Sequence, residues 1–225
     1  MNDTCWTDHG GEMRWRLTNA GLELQRKGLD PYIPRTGGKP KSATLCWQSY
    51  QFALTGASER WGVDIRTLIA MICIEAVRRD GLYFDERSER YEERIDDYST
   101  GLMQTLVKNN ANASERRTRY LGREVTRADL RSPDVSIAYG AMYLSHLGIS
   151  HGTDDPILLA AGYNAGGMYE DDDSLWNLRT YGEKRLDHFA AWFNDAHEVL
   201  RTYGDGRIDR FVAWHNDALA VMGES

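Results

Sequence analysis

The stretch "LIAMICIEAVRRD", Leu68 to Asp80, sets a glutamate, Glu75, directly after seven uninterrupted apolar residues, Leu68 to Ile74. A helix that is apolar all round belongs in a core. A carboxylate at its end is partly dehydrated, and dehydration penalises the charged form, so such a group can hold a proton near neutral pH. Glu75 is then either a catalytic acid or the point at which a buried helix reaches water.

The segments on either side carry helical grammar. Asp64 stands where a helix over "VDIRTLIAMICIEAVRR" needs its cap, and Ser42 to Trp61 is a helix candidate before it. "GLMQTLVKNN", from Gly101, opens a further helix. "SPDVSIAYGAMYLSHLG" offers Ser132 as cap, Pro133 at the first helical position and Gly148 at the end. "DDPILLAAGYNAGG" repeats that pattern with Asp155, Pro156 and a terminal glycine pair. Helices of this length joined by short polar turns predict a mainly α domain. Residues 1–42, with "DPYIPRTGGKPKS", read as an irregular N-terminal arm.

Two segments depart from this pattern. Asp85 to Asp97, "DERSERYEERIDD", has ten charged residues in thirteen and reads as a solvated, salt-bridged surface. The tail, 179–225, is duplicated: "RTYGEKRLDHFAAWFNDAHEVL" from Arg179 is followed by "RTYGDGRIDRFVAWHNDALAVM" from Arg201, with 13 of 22 positions identical. Leu186, Phe189, Phe193, Ala196 and Leu200 recur at helical spacing, as do Ile208, Phe211, Ala218 and Met222. Gly182 and Gly204 mark a break before each helix, and Trp192 and Trp214 read as core anchors. Two copies are too few for a solenoid, so one copy closes the core and the other packs beside it or on a partner.

The 225 residues, 41% hydrophobic and 27% charged, suit an ordinary globular domain. A net charge of −7 argues against a nucleic-acid partner held through phosphates. No run approaches the roughly 20 apolar residues of a bilayer span, so no membrane insertion is expected. The start, "MNDTCWTDHGGEMRWRL", lacks a secretory h-region, which predicts synthesis in the cytoplasm and delivery to any outside substrate by lysis, a virion or a secretion system. Cys5, Cys46 and Cys73 form neither a disulfide framework nor a zinc site; a Cys5–Cys46 bridge stays open, and Cys73 reads as a small buried hydrophobe. The six histidines show no metal-ligand spacing, and "EDDDS", Glu170 to Ser174, lacks the spaced ligands of a calcium loop. Neither a metal nor a cofactor is expected.

Taken in order, Gly62-Val63-Asp64 leading to Glu75, Gly101 to Gln104 ("GLMQ"), Ser132 to Leu144, and Gly162 to Gly166 ("GYNAG") resemble the soluble lytic transglycosylase family and the goose-type lysozymes. The resemblance covers roughly residues 45 to 180. It implies a lysozyme-like fold in a catalytic domain over 43–178, with an irregular or β-hairpin excursion between Glu75 and Gly101. It further implies a glycosidase cutting the MurNAc–GlcNAc linkage of peptidoglycan glycan strands, with Glu75 as acid and then base. A carboxylic acid kept protonated by apolar walls is what protonating a glycosidic oxygen requires.

Around that acid, the resemblance implies substrate-binding roles for Gly101, Met103, Gln104 and Tyr163, a more structural role for Asn164, and a cleft position for Tyr181. Chemically, Gly101 lets backbone approach a sugar ring, Met103 gives a soft wall, and Gln104 offers donors and acceptors. Two features depart from the family pattern. The serine expected after the glutamate is Ala76, and 25 residues separate Glu75 from Gly101. In goose-type lysozymes aspartates occupy that interval, so Asp96 or Asp97 could position a water in a hydrolytic reaction. A chitinase-like glycosidase and a non-catalytic glycan-binding module remain the rival readings.

Overall fold

The computed structural model describes residues 6–9, 13–37, 40–77, 83–93, 96–107, 123–168 and 181–223, with backbone alone for 8, 9 and 204–223. Cys5, the "EDDDS" run and Arg179 lie outside the described residues, as does the side chain of Trp214.

The described part of the N-terminal arm carries a regular sheet where its glycines and prolines suggest an irregular segment. Met13 and Trp15 alternate with Arg14 and Arg16, and Leu22 and Leu24 alternate with Glu23 and Gln25, the period-two pattern of a sheet with one buried face. β1 (Thr7–His9), β2 (Met13–Thr18) and β3 (Gly21–Arg26) pair antiparallel in that order, with Trp15 opposite Leu24. The sheet is tied to the helical body by Trp15, whose Nε1 donates to Asp155 Oδ2 at 2.7 Å.

Helix α1 (Lys41–Trp61) bends at Tyr50 and ends at Gly62 in the left-handed conformation. Asp64 then caps α2 (Ile65–Ala76), its side chain accepting from the Arg66 amide, as its position predicts. Of the apolar run, Leu68 to Cys73 is fully buried. Leu68, Ile69, Met71 and Ile72 each contribute about 1.5–3 kcal/mol by leaving water, an upper bound for a denatured chain already partly collapsed. Cys46 on α1 and Cys73 on α2 are buried free thiols, and burial pushes the Cys73 thiol pKa up.

After α2 the chain forms the expected hairpin excursion, larger by one strand. β4 (Glu89–Glu92), β5 (Asp97–Thr100) and β6 (Thr105–Leu106) pair antiparallel in sequence order. "GLMQT" is therefore a turn and a short strand where a helix was expected. A 3-10 turn (Asp129–Arg131) leads into α3 (Pro133–His151). This helix runs past Gly148, where Thr153 O comes within 2.7 Å of where a Cβ would stand, and stops at Gly152, which takes the left-handed conformation. α4 (Pro156–Ala165) starts at Asp155 and ends at Gly166, as read from sequence.

The tail is one helix, α5 (Glu183–Gly223), and Gly204 does not interrupt it. Its first repeat packs against α2, α1 and β3, burying Leu186, Phe189, Phe193 and Ala196, with Trp192 packed partly buried against the same core. The result is mainly helical, with two small antiparallel sheets, consistent with a lysozyme-like fold. No helix among the described residues is long and apolar enough to cross a membrane.

Asp155 joins two layers: Oδ1 accepts from the Ile157 and Leu158 amides at 2.9 and 3.2 Å while Oδ2 holds Trp15. Asp155→Ala removes a helix cap and strands the buried indole N–H, a loss of about 2–4 kcal/mol expected in urea unfolding, with Asp155→Asn costing less.

Candidate active site

Glu75 sits in the last turn of α2, partly buried, with Ala76 beneath it and the Ala76 carbonyl accepting from the Asp85 amide at 3.1 Å. Burial raises its pKa above the ordinary glutamate value. The positive charges of Arg90 and Arg185 oppose that rise, and the negative charge of Glu92 adds to it. The carboxyl thus holds its proton further toward neutral pH than an exposed glutamate, as the apolar run predicts.

Strand alternation decides which groups face it. Arg90 and Glu92 on β4 stand opposite Ser99 and Asp97 on β5, so these four share one face. Glu92 Oε1 accepts from Arg90 Nε at 2.6 Å and from Ser99 Oγ at 3.0 Å. Burial alone would raise the Glu92 pKa, but these hydrogen bonds bring it below the ordinary value, so Glu92 is a held carboxylate. The other face carries Tyr91 and Tyr98, exposed, with ring centroids 5.1 Å apart. The charged stretch is thus a hairpin with one face turned to Glu75, and the period-two alternation of "ERYE" and "DYST" was its legible sign.

The two aspartates separate. Asp96 lies exposed at the turn with φ +52° and accepts from the Tyr91 hydroxyl at 2.9 Å. Asp97 is only 8% exposed, which corrects the solvated reading for it.

The "GLMQ" turn is framework. Gly101 has φ +79°, and a Cβ there would meet the Leu130 carbonyl oxygen at 2.0 Å, so the glycine admits protein backbone. Met103 is fully buried against Gly140 and presents no wall to a ligand. Gln104, with φ +46°, donates its amide to the Ser88 and Gly101 carbonyls at 3.1 and 2.8 Å. Tyr163 fastens the turn from α4: its hydroxyl donates to the Met103 carbonyl at 2.8 Å and lies 3.2 Å from Thr105 Oγ1. That hydroxyl is therefore committed to the scaffold, although Tyr163 stands near enough to Glu75 to feel its charge.

Tyr181 is buried before α5, and burial with the Glu75 charge raises its pKa, so it is a neutral phenol beside the acid. Asn164 is exposed and accepts from the Arg185 guanidinium. Glu75, Tyr163 and Tyr181 are thus brought together, with Gly101, Met103 and Gln104 holding the wall behind Tyr163. Arg90, Glu92, Thr105 and Arg185 were not singled out from sequence. The first two were hidden in a charge run, and Arg185 lies past the last motif. The larger described cavity, about 890 Å³, is elsewhere, at the opposite end of α2, with Trp61, Asp64 and Thr67 in its lining. Among the described residues, no cluster of three or more metal-ligating side chains occurs.

A family model described as "Transglycosylase SLT domain" matches residues 55–175, more than half of the chain. No curated protein matches it. The matched segment contains Glu75, the hairpin, the "GLMQ" turn and Tyr163, and stops short of Tyr181 and Arg185.

Two outcomes are expected. Gly101→Ala forces a strained φ and a backbone clash, costing more than about 2 kcal/mol in thermal or urea unfolding. Glu75→Gln stabilises the fold at higher pH. Because the folded-state pKa of Glu75 is raised, the wild type loses stability as pH rises from the ordinary glutamate pKa toward the folded one. The melting-temperature gain of the variant should be absent below that window and grow through it.

Proposed function

Because the chain belongs to the SLT-domain family, whose members are enzymes, lytic transglycosylases acting on peptidoglycan, we propose that Glu75 is its single acid/base. The bond cut is the β-1,4 linkage between MurNAc and GlcNAc, and the product carries a 1,6-anhydro-MurNAc end. The observation that carries this reading is a glutamate at the end of a buried apolar helix whose pKa burial raises, within electrostatic reach of Arg90 and Glu92 on the hairpin and of Tyr163 and Tyr181.

In the first step the Glu75 carboxyl gives its proton to the glycosidic oxygen as the C1–O bond breaks and positive charge builds on the muramic ring. The substrate's N-acetyl oxygen shields C1. In the second step the Glu75 carboxylate takes the proton of the C6 hydroxyl, and O6 closes on C1. Protons balance, Glu75 returns to its starting state and no water is consumed. Arg90 and Arg185 suit this cycle, since their charges favour the carboxylate left after the first step while burial favours the acid that begins it. The hydroxyl of Tyr163 is spent on Met103, so Tyr163 acts by fixing the turn, and Tyr181, the second neutral phenol beside Glu75, is assigned to the substrate side.

A hydrolytic reading has one observation in its favour: a second carboxylate, Glu92, is held ionised near Glu75, with Asp97 on the same strand face. Two carboxyls whose pKa values are pushed apart are the arrangement that activates a water. Asp96, turned to Tyr91, is displaced from that role. A cell-wall substrate suits the family, and delivery by lysis, a virion or a secretion system remains the route proposed from sequence.

Mass spectrometry of digested peptidoglycan decides between the reactions. Muropeptides one water lighter than hydrolysis products support the transglycosylase; reducing ends support the Glu92-assisted hydrolase. Glu75→Gln should lower turnover at least about 100-fold with the fold intact. Undiminished turnover in that variant would remove Glu75 from the reaction, and an inert wild type would leave a glycan-binding module.

A further inference from the structure

The first tail repeat is held in a seat built by β3, the segment after it, α1 and α2. Asp187 receives the Arg26 guanidinium and the Tyr32 hydroxyl, the latter at 2.7 Å. Asn194 accepts from the Leu22 amide at 2.6 Å and donates to the Leu22 and Pro34 carbonyls at 2.9 and 3.0 Å. Asp195 receives the Thr36 hydroxyl, Phe189 is fully buried, and Arg185 reaches Asn164. These contacts are specific: Asn194 satisfies β3 backbone that no neighbouring strand covers, and Gly21 lacks a Cβ where one would stand 2.2 Å from Asn194 Oδ1.

Every one of those side chains recurs 22 residues later, as Arg207, Asp209, Phe211, Asn216 and Asp217. The nine positions at which the copies differ are distributed unevenly. Six fall where the first copy is exposed or only partly buried: Glu183, Lys184, His188, His197, Glu198 and Leu200. Of the three buried ones, Leu186 becomes Ile208 and Ala190 becomes Val212, both apolar. Only Phe193, replaced by His215, exchanges a buried apolar side chain for a polar one. A second copy kept merely for solubility has no use for a phenylalanine, an asparagine and two aspartates at these intervals. The second copy thus keeps the counterparts of Asp187, Asn194 and Asp195, while the contacts of Glu198 with Arg35 at 3.0 Å and of His197 with Arg66 at 3.2 Å have no counterpart at Ala220 and Leu219.

We propose that the second repeat, residues 201–222, is a duplicate key for the same seat, able to replace the first repeat there when the chain slides by one 22-residue register. In α5 as it stands, the second key lies about 33 Å further along the helix axis than the first. On sliding, Asn216 takes over the β3 backbone, Asp209 meets Arg26 and Tyr32, and Tyr203 and Arg207 come to the places of Tyr181 and Arg185 beside Glu75. The tether between α4 and the seated repeat lengthens from 13 to 35 residues, counted from Gly166 to the residue before each copy. Loop closure over that difference disfavours the exchanged register only about fourfold. The larger bias toward the first key is His215 in the place of Phe193.

The test reads the Leu22 amide by hydrogen exchange in the full chain, independently of any enzymatic activity. Asp187→Ala, Phe189→Ala and Asn194→Ala together break the first key by more than His215 weakens the second. The triple variant should stay folded, with the Leu22 amide still protected through Asn216. Adding Asn216→Ala should drop that protection at least about tenfold. Three outcomes overturn the proposal: a triple variant that unfolds, a Leu22 amide as unprotected in the triple as in the quadruple variant, or protection that survives in the quadruple.

Discussion

Dehydration of one carboxylate is the constraint around which the chain is arranged. α2 has no polar side between Leu68 and Cys73, so it must be covered all round, and α1, α4 and the first half of α5 cover it. The same covering that stabilises the core strips water from Glu75 where the helix runs out. Stability and reactivity therefore have one source, and the cost of burying an ionisable group is carried by about half a dozen fully buried apolar side chains in the same helix.

What surrounds Glu75 is rigid for a separable reason. Tyr163 on α4 grips the carbonyl of Met103, Gly101 lies against the Leu130 carbonyl, and Ser136 Oγ on α3 accepts from the Met103 amide at 3.1 Å. Three elements thereby lock one turn, and the hairpin bearing Arg90 and Glu92 is hydrogen-bonded to that turn through Ser88. Tyr50 adds a brace from α1, its hydroxyl donating to Glu86 Oε1 at 2.6 Å and its ring edge-on to Phe84. The charges nearest the acid therefore sit on a braced hairpin, as electrostatic tuning of a single proton requires.

The helices were legible because their caps are local: Asp64, Asp155, Pro133 and Pro156 each act on backbone within one turn. Glu75 was legible because an apolar run can be seen without knowing what packs on it. The N-terminal sheet is masked by the Gly and Pro around the alternation of Met13, Trp15, Leu22 and Leu24, and the groups that hold it, Asp155 and Asn194, lie far away in sequence. Roles within "GLMQ" could not be assigned from composition, since a glycine that admits a sugar and one that admits a carbonyl look alike. The same holds for Asp97, whose burial depends on a strand pairing, and for Arg185, which reaches the site only because α5 returns to it.

A carbon-13 titration of side-chain carboxyls, with Glu75 assigned by its absence in Glu75→Gln, should place the Glu75 midpoint above that of the exposed glutamates of the same chain. A midpoint at or below theirs would contradict an acid kept proton-loaded by burial, and with it the reading of the site.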